Sequence, residues 1–249
     1  MAKKDLTKVI SAQRKHLNDV RPKQKKVVDE LLDELTLHAL QLQQIANNQD
    51  VVLAKFYKNL SDDLLTQVNK YDFANAKGNK LKAKHIRSLM KEGSKSIENS
   101  HKLIQQAVRD GLISVGDLET QFAIGSLNKA VTGKGTIKIA SETLSPKKIS
   151  SIADNLIVEG IPQSQVWGRH SKRVQEKFKD AVRMSYQNNE DIETLSGRIR
   201  GTSANNYKDG ILNVSKNQAN TLARTSISSV SNRTREETYL ANSDVIKGV

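Results

Sequence analysis

In the stretch "RPKQKKVVDELLDELTLHALQLQQIANN", Val28, Leu31, Leu35, His38, Leu42 and Ile45 return at intervals of three or four residues. That period puts them on one side of an α-helix, close to a heptad rhythm, and a strand cannot reproduce it. The helix runs for about seven turns, with Pro22 in its first turn, where a missing N–H does no harm. His38 falls inside the apolar stripe and reads as a half-buried packing residue. A second helical stretch near residues 50–70 carries Val52, Phe56, Leu60, Leu64 and Val68. Ser61, followed by Asp62 and Asp63, can cap a fresh start, so this stretch reads either as one helix or as two.

Hydrophobic residues make up 37% of the 249, and aromatic ones only 4%. A core must therefore lean on Leu, Ile, Val and Ala, which suits helices better than a sandwich or barrel. The expected fold class is mainly α, an elongated helical protein with long amphipathic helices and at most a small β hairpin around 111–140. Three regions are expected. Residues 1–110 form an N-terminal helical region whose first 21 residues are polar and basic, a frayed helix or an arm. Residues 111–144, "GLISVGDLETQFAIGSLNKAVTGKGTIKIASETL", are punctuated by glycine and read as a flexible connection, with "TIKIA" alternating like a strand. Residues 145–249 are helical again. Ser145 and Pro146 start a helix whose apolar face is Ile149, Ile152, Ala153, Leu156 and Ile157 and whose end is set by Gly160. Trp167 falls in a short loop, Val174, Phe178, Val182 and Tyr186 mark the next helix, and "EDIETLSGRIR" makes a short one that stops at Gly201.

The formal charge of +13, at a pI near 9.8, favours polyanions, above all nucleic acid. The basic residues concentrate in "AKGNKLKAKHIRSLMKEGSKS", where Lys77, Lys80, Lys82, Lys84, Arg87, Lys91 and Lys95 face a single acid, Glu92. Phosphate contact needs little beyond positive charge. No aromatic residue is interleaved for base stacking, so the segment does not read as a specific single-strand reader. Arg224 and Arg235 are further candidates for phosphate contact, or for ion pairs inside the fold. With no cysteine there is no disulfide framework and no thiolate metal site. The five histidines (16, 38, 85, 101, 170) are scattered, and none shares a metal-ligand spacing with another. No cofactor, metal site or catalytic residue is expected. "GSLNKAVTGKGT" fails as a phosphate-binding loop, since Asn128 stands where the first glycine belongs and Gly135 where Ser or Thr must meet magnesium. The carboxylates of "DELLDEL" sit at the spacing of an ordinary charged helix face. No apolar run is long enough to span a bilayer, and "MAKKDLTKVISAQ" lacks the apolar stretch of a signal peptide.

The last 35 residues, "SKNQANTLARTSISSVSNRTREETYLANSDVIKGV", read as one long helix running to about Ala241, with Ser215 as N-cap and Gln218 completing a capping box. Ala219, Leu222, Ala223, Ser226 and Val230 share one face, whose small side chains let a partner approach closely. Arg224, Ser228 and Arg235 fall on the other side.

The ordered series "LSGRIRGT … YKDGI … SKNQANTLARTSISSVSNRTREETYLANSD" resembles the head morphogenesis, or minor head, proteins of tailed bacteriophages, the family named after the phage Mu F protein. Its helix "A-x-x-(I/L)-(A/V)-R-T" matches Ala219 to Thr225, "N-x-(A/T)-R" matches Asn232 to Arg235, and "A-N-x-D" matches Ala241, Asn242 and Asp244. The resemblance covers about residues 145–249. Family members usually continue into a β-containing segment where this sequence reaches "DVIKGV", and the expectation is a shorter variant, a processed form or an incomplete sequence. The resemblance implies a non-enzymatic virion protein, present in multiple copies at the portal protein or the capsid interior. It would aid head assembly and DNA packaging, retention or ejection, with non-specific contact to double-stranded DNA, and would pass through the host cytoplasm during assembly. The alternatives are an accessory nucleic-acid-binding protein that acts in packaging without entering the virion, and an enzyme acting on DNA or cell wall.

Overall fold

The computed structural model describes residues 22–73, 75–132 and 142–244. The expected N-terminal arm, the "TIKIA" strand and the last five residues, "VIKGV", lie outside them. The described residues are mainly α. Their helices are α1 (Pro22–Lys70), α2 (Asn79–Thr132), α3 (Pro146–Asp154), α4 (Gln163–Gln187), α5 (Ile192–Arg200) and α6 (Ile211–Ala241). A single 3-10 turn, Ser203–Asn205, precedes α6. Strands β1 (Ile157–Val158) and β2 (Ile161–Pro162) pair antiparallel between α3 and α4, with Val158 opposite Ile161. No helix among the described residues is long and apolar enough to cross a membrane.

Of the two readings of residues 50–70, the structure takes the unbroken helix, and it joins that stretch to the helix before it. α1 runs 49 residues without a break at Ser61. Leu53, Tyr57, Leu60, Leu64 and Val68 are all buried, so the apolar stripe carries straight past the serine. Burying a side chain such as Leu contributes about 1.5–3 kcal/mol, more than a local cap offers.

The glycine-rich connection is corrected over 111–132, where α2 continues as helix through Gly111, Gly116 and Gly125. Leu112, Val115, Glu119 and Ala123 repeat the helical period and are buried. Gly116 is there for packing. A Cβ on it would stand 2.5 Å from the Ile149 methyl carbon Cγ2, so the bare backbone is what admits α3. The glycine that does make a turn is Gly160. It and Glu159 have φ of 76° and 53°, the paired positive values of the tight primed turn that joins two strands. Among the described residues the hairpin lies at 157–162, 111–132 being helix, and Gly160 shapes that hairpin while α3 stops at Asp154.

Trp167, expected in a loop, is a buried residue of α4 beside Val166 and His170. The cap signals at α5 hold: the Asp191 carboxylate accepts the Thr194 N–H, Glu193 lies in the first turn, Arg198 and Arg200 in the last, and Gly201 closes the helix. α6 begins earlier than expected, at Ile211, so Ser215 lies inside it and donates its hydroxyl to the Ile211 carbonyl at 2.7 Å. The loop before α6 is tied by Asp209, whose carboxylate accepts from the Thr202 N–H, the Thr202 hydroxyl and the Asn205 amide. These donors, that of Asn205 foremost, hold its carboxyl down at about 2.

Packing divides the chain into two compact units that cut across the linear division into 1–110, 111–144 and 145–249. One combines Met1–Ile45, Ile113–Ile152 and Val230–Val249, the other Ala46–Leu112 and Ala153–Ser229. The second unit has an aliphatic and aromatic core, in which Leu53, Leu64, Leu89, Ile97, Ile104, Trp167, Phe178, Leu195 and Ile199 are almost wholly buried. The first buries Val115, Ile149 and Val230 together with polar side chains, among them His38, Glu119, Thr120, Ser231, Thr234 and Thr238.

Candidate nucleic-acid interface

The basic segment falls into two parts. Lys77 precedes α2, and the other six cations lie in its first five turns. Lys80, Lys84, Arg87, Lys91 and Lys95 are all exposed, at successive intervals of four, three, four and four. At about 100° per residue they occupy an arc of about 80°, a single stripe about 22 Å long. The opposite face, Ile86, Leu89 and Ile97, is buried in the second unit. Gly93 lies on that buried face, where its missing side chain leaves room for the Phe178 ring. Lys82 points away from the stripe and is half-buried, so it does not belong to it.

None of the five stripe residues closes an ion pair among the described residues. The single acid of the segment is engaged elsewhere. Glu92 accepts from the Tyr71 hydroxyl and pairs with Lys70 at 3.3 Å. Those partners, Tyr71 first, hold its carboxyl below the usual carboxylate range. The positive stripe is therefore left uncompensated by its own helix.

Arg224 and Arg235 do not join it. Arg224, in the second unit, donates to Asn47 at 2.8 Å and pairs with Asp50 of α1. Arg235, in the first unit, turns inward and holds the fully buried Glu119 at 3.0 Å. Of the two readings open for these arginines, the ion pair inside the fold is the one realised. The small-residue face of α6 is also consumed internally. Ala219, Ala223, Ser226 and Val230 are buried in the chain's own units, and Leu222 is half-buried. That face is an intramolecular seam, which corrects its assignment to a partner.

Two polar clusters appear that the scattered histidines conceal. In the first unit, Glu119 accepts from Ser231, from His38 Nε2 at 2.6 Å and from Arg235, while the His38 ring stacks on Phe122 at 3.8 Å. His38 is thus fully buried and paired, not half-buried packing. Serine, histidine and acid meet here, but Ser231 and His38 both bind the same carboxylate oxygen. In a hydrolytic triad the serine would face the imidazole. The cluster neutralises a buried carboxylate.

In the second unit, the Tyr57 hydroxyl of α1 lies 2.8 Å from His170 Nε2 and 3.3 Å from His101 Nε2. The Nδ1–H of His101 donates to the Ile97 carbonyl, and the His170 ring is held by the Ser215 backbone. Both Nε2 atoms are then acceptors for one hydroxyl, which donates to the nearer, His170. Burial is the leading cause of every shift here. It pushes the Tyr57 hydroxyl up, His101 down and His170 down to about 4, the last helped by the charges of His101 and Arg173. At neutral pH the cluster is uncharged. The sequence signal for it was a Tyr or His at core positions of three apolar stripes: 53–57–60, 97–101–104 and 167–170–174.

No group of three or more His, Cys, Asp or Glu residues that could hold a metal ion occurs among the described residues. Comparison with protein-family models, with curated proteins and with solved structures finds no match for this chain.

Proposed function

We propose that this chain is a bacteriophage minor head protein, bound to the portal or the capsid interior, that contacts packaged double-stranded DNA without reading its sequence. The observation that carries the DNA contact is the α2 stripe: five exposed cations on one helical face with no ion-pair partner among the described residues. Such a row meets phosphates by charge alone and presents no ring to stack on a base. The place in the phage head rests on the ordered motifs from Ala219 to Asp244.

The test is binding of the full chain to short duplexes of unrelated sequence, followed by fluorescence anisotropy as salt is raised. If about five phosphates are neutralised, the log–log slope is about −4.5, a loss of about 500-fold between about 50 and 200 mM salt. Duplexes of different sequence bind alike. Replacing Lys80, Lys84, Arg87, Lys91 and Lys95 by Gln flattens the slope. Binding that ignores salt, or no binding at the lowest salt, removes DNA contact from this function.

A further inference from the structure

The second unit carries a groove of about 340 Å³ between α4, the hairpin and α6. Arg169 and Arg173 line it from α4, one helical turn apart, and both are exposed with no ion-pair partner among the described residues. Thr221 and Gln218 line it from α6, and the Gln218 Oε1 is buried without a hydrogen-bond partner. His170 forms part of its wall, and Glu159, at the hairpin turn, is the single acid that lines it.

Two guanidinium groups one turn apart stand about 5–6 Å from each other at their Cβ atoms. A carboxylate fills one such fork. A phosphate group with its several charged oxygens engages both, bidentately, and its charge exceeds what Glu159 already offsets. A threonine hydroxyl and an amide that can rotate its NH2 inward complete a donor set with no dominant apolar demand. The volume lies at the small end of ligand sites, sized for one or two phosphates. We infer that this groove is a phosphate-binding site, built by Arg169 and Arg173 with Thr221 and Gln218. The inference stands on the groove alone and involves none of the α2 stripe. The phosphate can come from a free di- or triphosphate or from a nucleic-acid backbone.

The test uses inorganic pyrophosphate titrated into the full chain, read by calorimetry and by the NMR signal of the His170 ring. Saturable binding is expected. Arg169→Ala with Arg173→Ala weakens it at least about tenfold, as loss of two charge-assisted contacts requires, while the Gln variant of the α2 stripe binds as the parent does. Because Arg173 is among the groups that keep His170 down at about 4, a bound anion raises the His170 midpoint in the parent and not in the double variant. Lysine at both positions, which keeps charge and loses the fork, gives intermediate affinity and shows that the site, not the fold, is altered. Competition separates the sources. Displacement of pyrophosphate by duplex assigns the groove to backbone phosphate, and undisturbed binding beside duplex assigns it to a free ligand. No saturable binding by the parent, or binding unchanged in the double alanine variant, overturns the inference.

Discussion

At the scale of single residues, burial decides what each ionisable group does. Glu119 has no exposed surface, and Arg235, His38 and Ser231 converge on its carboxylate. Removing one partner of a buried pair costs about 3–5 kcal/mol, because the other charge is left without compensation. The Tyr57–His101–His170 cluster is the opposite solution, three groups kept neutral. His170 sits at about 4 in the fold against an ordinary value of 6.5. Between those two values the unfolded chain binds more protons than the folded one. Its stabilising contribution is therefore complete above pH 6.5 and is lost as pH falls through the window down to about 4. The shift corresponds to a contribution on the order of 3 kcal/mol. His101, depressed by burial too, acts in the same direction. The groups that face this imidazole are Tyr57 from α1, His101 from α2, and Arg173 and Lys177 from its own helix. Denaturant unfolding at a series of pH values checks the expectation. Stability declines below pH 6.5, and His170→Gln shallows that decline.

At the scale of elements, helices were legible wherever apolar residues kept a strict period, and misread wherever a local signal competed with it. Ser61–Asp62–Asp63 looks like a cap, yet Leu60 and Leu64 on either side are core residues and the helix runs on. Glycine misled most. In α2 it marks close approach, and Gly93 is the sharpest case: an added Cβ would lie 2.3 Å from the Phe178 ring, itself almost wholly buried. Gly93→Ala should cost about 1–3 kcal/mol by overpacking, despite alanine's higher helix propensity. A chemical denaturation midpoint measures it, and a rise in stability would show that α2 and α4 do not pack as described. The sites were less legible than the helices. The cationic stripe could be read because its members are near neighbours on one helix. The histidine cluster could not, because Tyr57, His101 and His170 belong to three helices separated by 44 to 113 residues. Glu119 was hidden in the same way, its partners lying 81 to 116 residues away. Arg235, assigned to an outer face, is drawn inward by that distant acid, which no local pattern announces.

At the scale of the whole molecule, the chain carries +13, and the described acids are largely engaged with cations or backbone of their own units. Lys80, Lys84, Arg87, Lys91 and Lys95, with Arg169 and Arg173, stay without an ion-pair partner among the described residues and are exposed on helical faces, as the proposed contact with phosphates requires. On the proposed minor-head function, the most direct measurement is a density map of a phage particle assembled with this chain, resolved at the portal vertex and the inner capsid wall. The account predicts six helices of the observed lengths at one of those places, with Lys80, Lys84, Arg87, Lys91 and Lys95 turned toward packaged DNA. Particles that lack the chain, or that hold it with this stripe buried against protein and away from DNA, would contradict it.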